Sequence, residues 1–281
     1  MEHQPVSVPA HRPQPASSSY LQAGRQCQGP LWSSLEEICA LLQVPAASPA
    51  SDRVLFQRVQ CRTGQRIHRI GQAFDTLYVV NAGFLKSAVV DDAGNEQVLC
   101  FPMKGDMIGM DAIHARTHPS ETLALSDCDL ILLPFARLNN LSRMTPDIER
   151  LLYHMMSREL AQRQVLIGML GTPSAEARVA RFLIALSDRY AAMGYSSTAF
   201  NLRMSRQEIG SYLGLTLETV SRTISLFNES GLITVHHRSI GIIDAQALRA
   251  LRRLGTAQPE HRAQALRRSS TAVLPKGGAS R

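Results

Sequence analysis

The residues best suited to chemistry lie in one segment, MSRQEIGSYLGLTLETVSRTISLFNESGLITV, from Met204 to Val235. Ser205 and Glu208 have the spacing of a capping box, in which each side chain satisfies the other's orphan amide and starts a helix. Ile209 and Leu213 would face inward, Gly214 permits a sharp turn, and Thr216 can cap a second helix ending near Glu229. Two short helices joined in this way make a helix-turn-helix, here about residues 205–229, and the following ITVHHRSIGII reads as a β-hairpin wing. On the second helix, Leu217, Val220, Ile224 and Phe227 form an apolar stripe, leaving Glu218, Ser221, Arg222 and Ser225 on the other side. Arginine donates in a fork to guanine, glutamate accepts from the cytosine amino group, and hydroxyls adapt to either, so this face can read base edges. Thr216, Thr219 and Arg206 border it as further candidate contacts to double-stranded DNA. A bland alternative is that Glu218 and Arg222 form only an i, i+4 ion pair on a solvated face.

What must position this segment follows from the rest of the chain. Of 281 residues, 44% are hydrophobic and 19% charged, which excludes collagen, a coiled-coil rod and a wholly disordered chain. The net charge of +7 is not itself a nucleic-acid signal, because nearly all of it lies in a tail from Arg252 with seven basic residues and one acidic. No apolar run approaches the roughly 18 residues of a membrane helix, and the first residues lack a secretory apolar region, so a cytoplasmic protein without membrane contact is expected. Residues 1–26 and 254–281, rich in small and polar residues, are expected to be disordered. Five cysteines, with no C-x-x-C pair, read as buried or inert thiols.

From Arg53 to Phe135, segments such as LYVVNAGFLKSAVV and LALSDCDLILLPF alternate with glycine turns, and DDAGNE at Asp91–Glu96 reads as a hairpin; a small jelly roll fits best. Thr145 before Pro146 signals the start of a long helix running to about Met169. Ile148, Leu151, Leu152, Met155 and Leu160 give it more apolar surface than a small domain covers, which calls for a helix from this chain or a second copy; Met155 and Met156 read as core filler. Ser174 can cap a further helix with Val179, Phe182, Leu183, Leu186 and Tyr190 on one stripe.

MSRQEIGSYLGLTLETVSR, together with LYVVNAGFLKS, GNEQVLCFPMKGDMIGMDAI and HPSETLAL, resembles the Crp/Fnr transcription regulators, most closely the Fnr/FixK branch, over about Arg53 to Leu251. The resemblance implies an α+β fold: an N-terminal double-stranded β-helix, jelly-roll and cyclic-nucleotide-binding-like, over 27–137, a dimerisation helix over 138–170, and a winged helix-turn-helix over 171–253. It implies a cytoplasmic homodimer, not an enzyme, that binds inverted repeats like TTGAT and ATCAA. Glu218 and Arg222 would then read the G·C pair of each half-site, and Ser221 would approach a thymine. RNA polymerase would be a second partner through the loop holding Asp91, Gly94, Asn95 and Glu96. The Arg-Ser pair that grips phosphate in the cyclic-AMP branch is missing from GDMIGMDAIHARTHPSETLA. So is the tight N-terminal cysteine run of the iron-sulfur members, since eleven residues separate Cys27 from Cys39 and the family's β-roll cysteine corresponds to Ile131, with Cys128 three positions earlier. The expectation is therefore a FixK-like regulator of oxygen- or redox-linked genes with no cofactor. The alternatives are an iron-sulfur regulator, a haem sensor through His68 (otherwise a surface histidine), or a metal-binding β-roll enzyme using His114, His118 and Glu121 (otherwise a surface loop).

Overall fold

The computed structural model describes residues 31–45, 54–91, 93–143, 146–171 and 174–251. The segments 1–26 and 254–281, Cys27 and the expected cap Thr145 lie outside them. The N-terminal unit is a sandwich of two antiparallel sheets. One runs in the order β1 (Trp32–Ser34), β2 (Leu55–Cys61), β9 (Cys128–Pro134), β4 (Thr76–Ala82) and β7 (Met107–Ile108). The other runs β3 (Arg66–His68), β8 (Glu121–Ala124), β5 (Leu85–Val90) and β6 (Glu96–Cys100).

The two central strands are apolar on both faces, and the pleat explains why. Leu77 and Val79 of β4, with Ile131 and Leu133 of β9, point into a core shared with the flanking helices. Their neighbours Tyr78, Val80, Leu130 and Leu132 point into the space between the sheets, against Cys61, Ile67, Leu85 and Ala124. Each such side chain contributes about 1.5–3 kcal/mol on burial, so the register of this pair is strongly fixed. The hairpin between β5 and β6 forms where DDAGNE placed it. The Asp91 carboxylate accepts from the backbone N–H groups of Ala93 and Asn95 and from the Asn95 amide.

Three helices cover the first sheet. A short N-terminal helix, α1 (Leu35–Leu42), was not anticipated, although Ser34 and Glu37 carry the same capping-box spacing as Ser205 and Glu208 and form the same reciprocal bonds. After α2 (Phe135–Ser142) comes the long helix α3 (Pro146–Leu170), a separate element beginning at the expected proline. Ile148, Leu151 and Met155 are buried against the β-roll, whereas Met156 is 49% exposed and is not core filler. Exposed on the same side are Tyr153, Leu160, Ile167 and Leu170.

The C-terminal unit contains α4 (Ala175–Ala192), β10 (Ala199–Asn201), α5 (Arg206–Leu213), α6 (Leu217–Glu229), β11 (Ile233–His236), β12 (Ser239–Ile242) and α7 (Ala245–Leu251). Ser174 caps α4, and all five residues of its expected stripe are buried. The core of this unit also takes in Val98, Phe101 and Met103 from the β-roll, so the two units share one apolar interior.

The histidines correct the sequence reading. His68 is 2% exposed and His118 is 3% exposed, so neither is a surface residue. Their rings stack at 3.8 Å between centroids, and the buried Ser120 follows in the same turn. β3 does not alternate: its pairing with β8 shifts register between Arg66 and His68, so His68 is buried next to Ile67, with Thr122 3.2 Å from its Nε2 and Ser87 2.7 Å from the Thr122 hydroxyl. Burial, then the neighbouring His118, pushes His68 down to about 3, so it is neutral in the fold. The unfolded chain takes up a proton near pH 6.5 that the folded chain refuses, so stability present above pH 6.5 is lost as pH falls toward 3. One such group costs about 2 kcal/mol between pH 7 and pH 5. Denaturant melts of wild type and His68→Gln should differ by that amount in their pH dependence; parallel losses would refute the assignment.

Candidate nucleic-acid interface

The helix-turn-helix is built by local sequence rules that the structure shows in full. Ser205 accepts from the Glu208 N–H, and the Glu208 carboxylate accepts from the Ser205 N–H. Ile209 and Leu213 are buried, and Gly214 ends α5 with φ +62°, a left-handed conformation that glycine adopts without cost. Gly210 matters as much and was missed by the sequence reading. A Cβ there would stand 2.6 Å from the Leu215 carbonyl oxygen, so only glycine lets the turn approach α5 this closely. Its signal was a glycine four positions before the turn glycine.

Thr216 caps α6 by accepting from the Thr219 N–H, and the two hydroxyls lie 2.9 Å apart. Both candidate threonines are thus engaged in starting the helix. Val220, Ile224 and Phe227 are buried as expected, but Leu217 is 53% exposed. It stands in the first turn of α6, and the fourth buried place is filled by Thr223, whose hydroxyl donates to the Thr219 carbonyl. Glu218 and Arg222 project into solvent, side chains 70% and 79% exposed, with the guanidinium donating to the carboxylate. Ser221 beside them is half-buried and Ser225 exposed. An exposed i, i+4 pair contributes only about 0.3–0.5 kcal/mol, so the fold does not need it. Arg206 opens α5 half-buried, with its Nη1 lacking a hydrogen-bond partner among the described residues. The wing is present as a three-stranded sheet in the order β10, β12, β11.

The interface is anchored to the β-roll. Lys86, 7% exposed on β5, bonds Glu96 at 2.8 Å and Glu208 at 2.9 Å. The Ser211 hydroxyl donates to the Glu96 carbonyl and accepts from the Val98 N–H, so β6 holds α5 directly. Glu96 is therefore a strand residue tied to the helix-turn-helix rather than free loop, whereas Asp91, Gly94 and Asn95 are exposed at the hairpin tip.

The described cysteines do not converge as an iron-sulfur cluster requires. Cys39 lies in the α1 core, Cys61 and Cys128 face each other across β2 and β9, and Cys100 ends β6. Burial pushes the Cys39 thiol up to about 11 and Cys61 up to about 12, which keeps them protonated. Among the described residues no group of three or more His, Cys, Asp or Glu could hold a metal ion, and exposed His114 diverges from buried His118. The one arginine of the stretch where the cyclic-AMP branch holds phosphate, Arg116, lies over the Phe135 ring. Among the described residues no helix is long and apolar enough to cross a membrane.

Known proteins agree with this geometry. Residues 58–144 match the cyclic nucleotide-binding domain and residues 177–251 the Crp-like helix-turn-helix domain. The transcriptional regulatory protein Btr of Bordetella pertussis is 37% identical over 213 residues, 74% of this chain and 88% of that protein. The fumarate and nitrate reduction regulatory protein of Salmonella typhi is 36% identical over 200 residues, 71% of this chain and 80% of that one. The structure of FixK2 from Bradyrhizobium japonicum matches with a TM-score of 0.65 at 28% identity, covering 70% of this chain and 98% of that one. With relatives that are regulators rather than enzymes and a helix-turn-helix complete in its caps, turn and exposed face, this chain belongs to the Crp/Fnr family of DNA-binding transcription regulators.

Proposed function

We propose that this protein acts as a homodimer without a cofactor, reads inverted repeats like TTGAT and ATCAA, and controls oxygen- or redox-linked genes. The observation that carries the reading is the solvent-exposed Glu218–Arg222 pair, which orients a guanidinium fork on a helix whose opposite face is buried. Ser221 shares that face, Thr216 and Thr219 lie at its N-terminus near the backbone, and Arg206 at the start of α5 is a further candidate contact. The relative named for fumarate and nitrate reduction supports the redox assignment. Purified, metal-free protein is expected to prefer a duplex carrying both half-sites over a scrambled one at salt near about 0.15 M. Arg222→Ala should weaken specific binding by about 1–3 kcal/mol without lowering the melting temperature. Equal losses on the scrambled duplex would remove the base-reading role, and binding that required iron-sulfur reconstitution would remove the cofactor-free one.

The dimer is supported by α3. Tyr153, Met156, Leu160, Ile167 and Leu170 are exposed at the a and d spacing of a heptad, the pattern of a seam between paired helices. Leu160→Asp should give monomers in sedimentation velocity and abolish binding to the two-half-site duplex; a variant that stays dimeric would place the interface elsewhere.

RNA polymerase contact is assigned to Asp91, Gly94 and Asn95, with Glu96 as the strand residue that fixes the tip. Asn95→Ala should lower activated transcription in a purified system while leaving operator binding unchanged. Full activation by this variant would exclude a contact through Asn95.

A further inference from the structure

We propose that the cleft where α1, the turn at residues 103–106, α3 and the end of α4 meet binds a phosphate-type dianion, free or as the phosphoryl group of a small metabolite. The cleft encloses about 250 Å³. That lies just below the roughly 300–1,000 Å³ of drug-sized ligand sites, suited to a small metabolite rather than a dinucleotide. None of its residues belongs to the helix-turn-helix face.

Its charged lining is of one sign. Lys104, Arg158 and Arg189 border it, and among the described residues no Asp or Glu does. The carboxylate that organises them, Asp106, is 7% exposed and sits behind the wall. Asp106 is already occupied: it accepts from the Met103 N–H at 2.9 Å and from the Arg189 guanidinium, and Arg158 stands 3.6 Å away. Arg189 also donates to the Phe101 carbonyl at 3.2 Å. The Arg189 guanidinium is therefore held in place before any ligand arrives and that of Arg158 is drawn to the same carboxylate, each still about a third exposed. A pre-positioned fork suits phosphoryl oxygens and lowers the ordering cost of binding. Lys104 is exposed and makes no ion pair with any described carboxylate. Three cations against one satisfied carboxylate leave two positive charges, which a dianion neutralises. Gln43 adds a neutral amide at the rim. Lys104 comes from the β-roll, Arg158 from the long helix and Arg189 from α4, so the ligand would touch all three elements that meet there.

The chain has only three lysines, Lys86, Lys104 and Lys276, which makes amine labelling a direct readout. Full-length protein is acetylated under limiting conditions, with inorganic phosphate or glycerol phosphate added up to about 20 mM at constant ionic strength, and each lysine is followed by mass spectrometry. The expected result is saturable slowing at Lys104 by about threefold or more, with Lys276 unchanged. Lys104→Gln, at an exposed position, should keep its fold and lose most of the phosphate-induced rise in melting temperature seen in wild type. Stronger protection by glycerol phosphate identifies a phosphorylated metabolite as the ligand, and stronger protection by inorganic phosphate identifies the free ion; either supports the site. Equal slowing at Lys104 and Lys276, no slowing at Lys104, or an undiminished thermal response in Lys104→Gln would each overturn it.

Discussion

The ammonium of Lys86 ties the two halves of this molecule together. It is a charge almost wholly removed from water, a state that costs several kcal/mol unless partners surround it. Glu96 reaches it from the adjacent strand and Glu208 from the helix-turn-helix, so neither hairpin nor helix can shift without exposing an unpaired charge. Burial raises the Glu208 carboxyl, but the Ser205 N–H and Lys86 more than offset this, and it stays below the usual carboxylate range. The same carboxylate that starts α5 thus also fastens it to the β-roll. Around this ionic point the contact is apolar: the Phe101 ring lies 5.3 Å from Tyr212 and 6.3 Å from Phe182. The ionic contact specifies the arrangement, while the shared core supplies most of its stability.

With α5 held from behind, the exposed face of α6 is what remains to act. Gly210 brings the turn against α5, and Val220, Ile224 and Phe227 lock α6 across it, so the side opposite must face outward. Glu218 and Arg222 stand there at little energetic benefit to the fold. A pair that stabilises little and orients an arginine fork fits recognition better than architecture.

How much of this was legible depended on the range of the interaction. The helix-turn-helix could be read because its caps, its Gly214 turn and its buried stripe are local, decided within four residues of each other. The central strands were legible for a similar reason, since LYVV and LILL carry burial on both faces in composition alone. Much of what failed needed partners distant in sequence. His68 is buried because the paired strand β8, more than fifty residues on, brings Thr122 against it, and Glu96 leaves the loop because Lys86 and Ser211 claim it from two sides. Leu217 misled because periodicity assigns a face but not whether a neighbouring helix extends far enough to cover it. Gly210 showed no periodic signal at all, as its role is an absent Cβ.

The long helix illustrates the same limit in another form. Its apolar residues were visible, but its sequence alone did not sort them between two partners. The structure sorts them: Ile148, Leu151 and Met155 enter the β-roll core, Met169 enters the core of the C-terminal unit, and Tyr153, Leu160 and Ile167 remain outside, seven residues apart. A single helix therefore touches both units of its own chain and leaves an apolar row exposed, the one on which the proposed dimer would close. A dimer built on that seam would fix the separation of two α6 helices through rigid contacts, and a two-fold protein with fixed helix spacing suits an inverted repeat with fixed half-site spacing. On that proposal the exposed row of α3, the junction and the outer face of α6 would act as one mechanical unit, with Arg158 on the long helix and Arg189 on α4 meeting at Asp106 where its parts join.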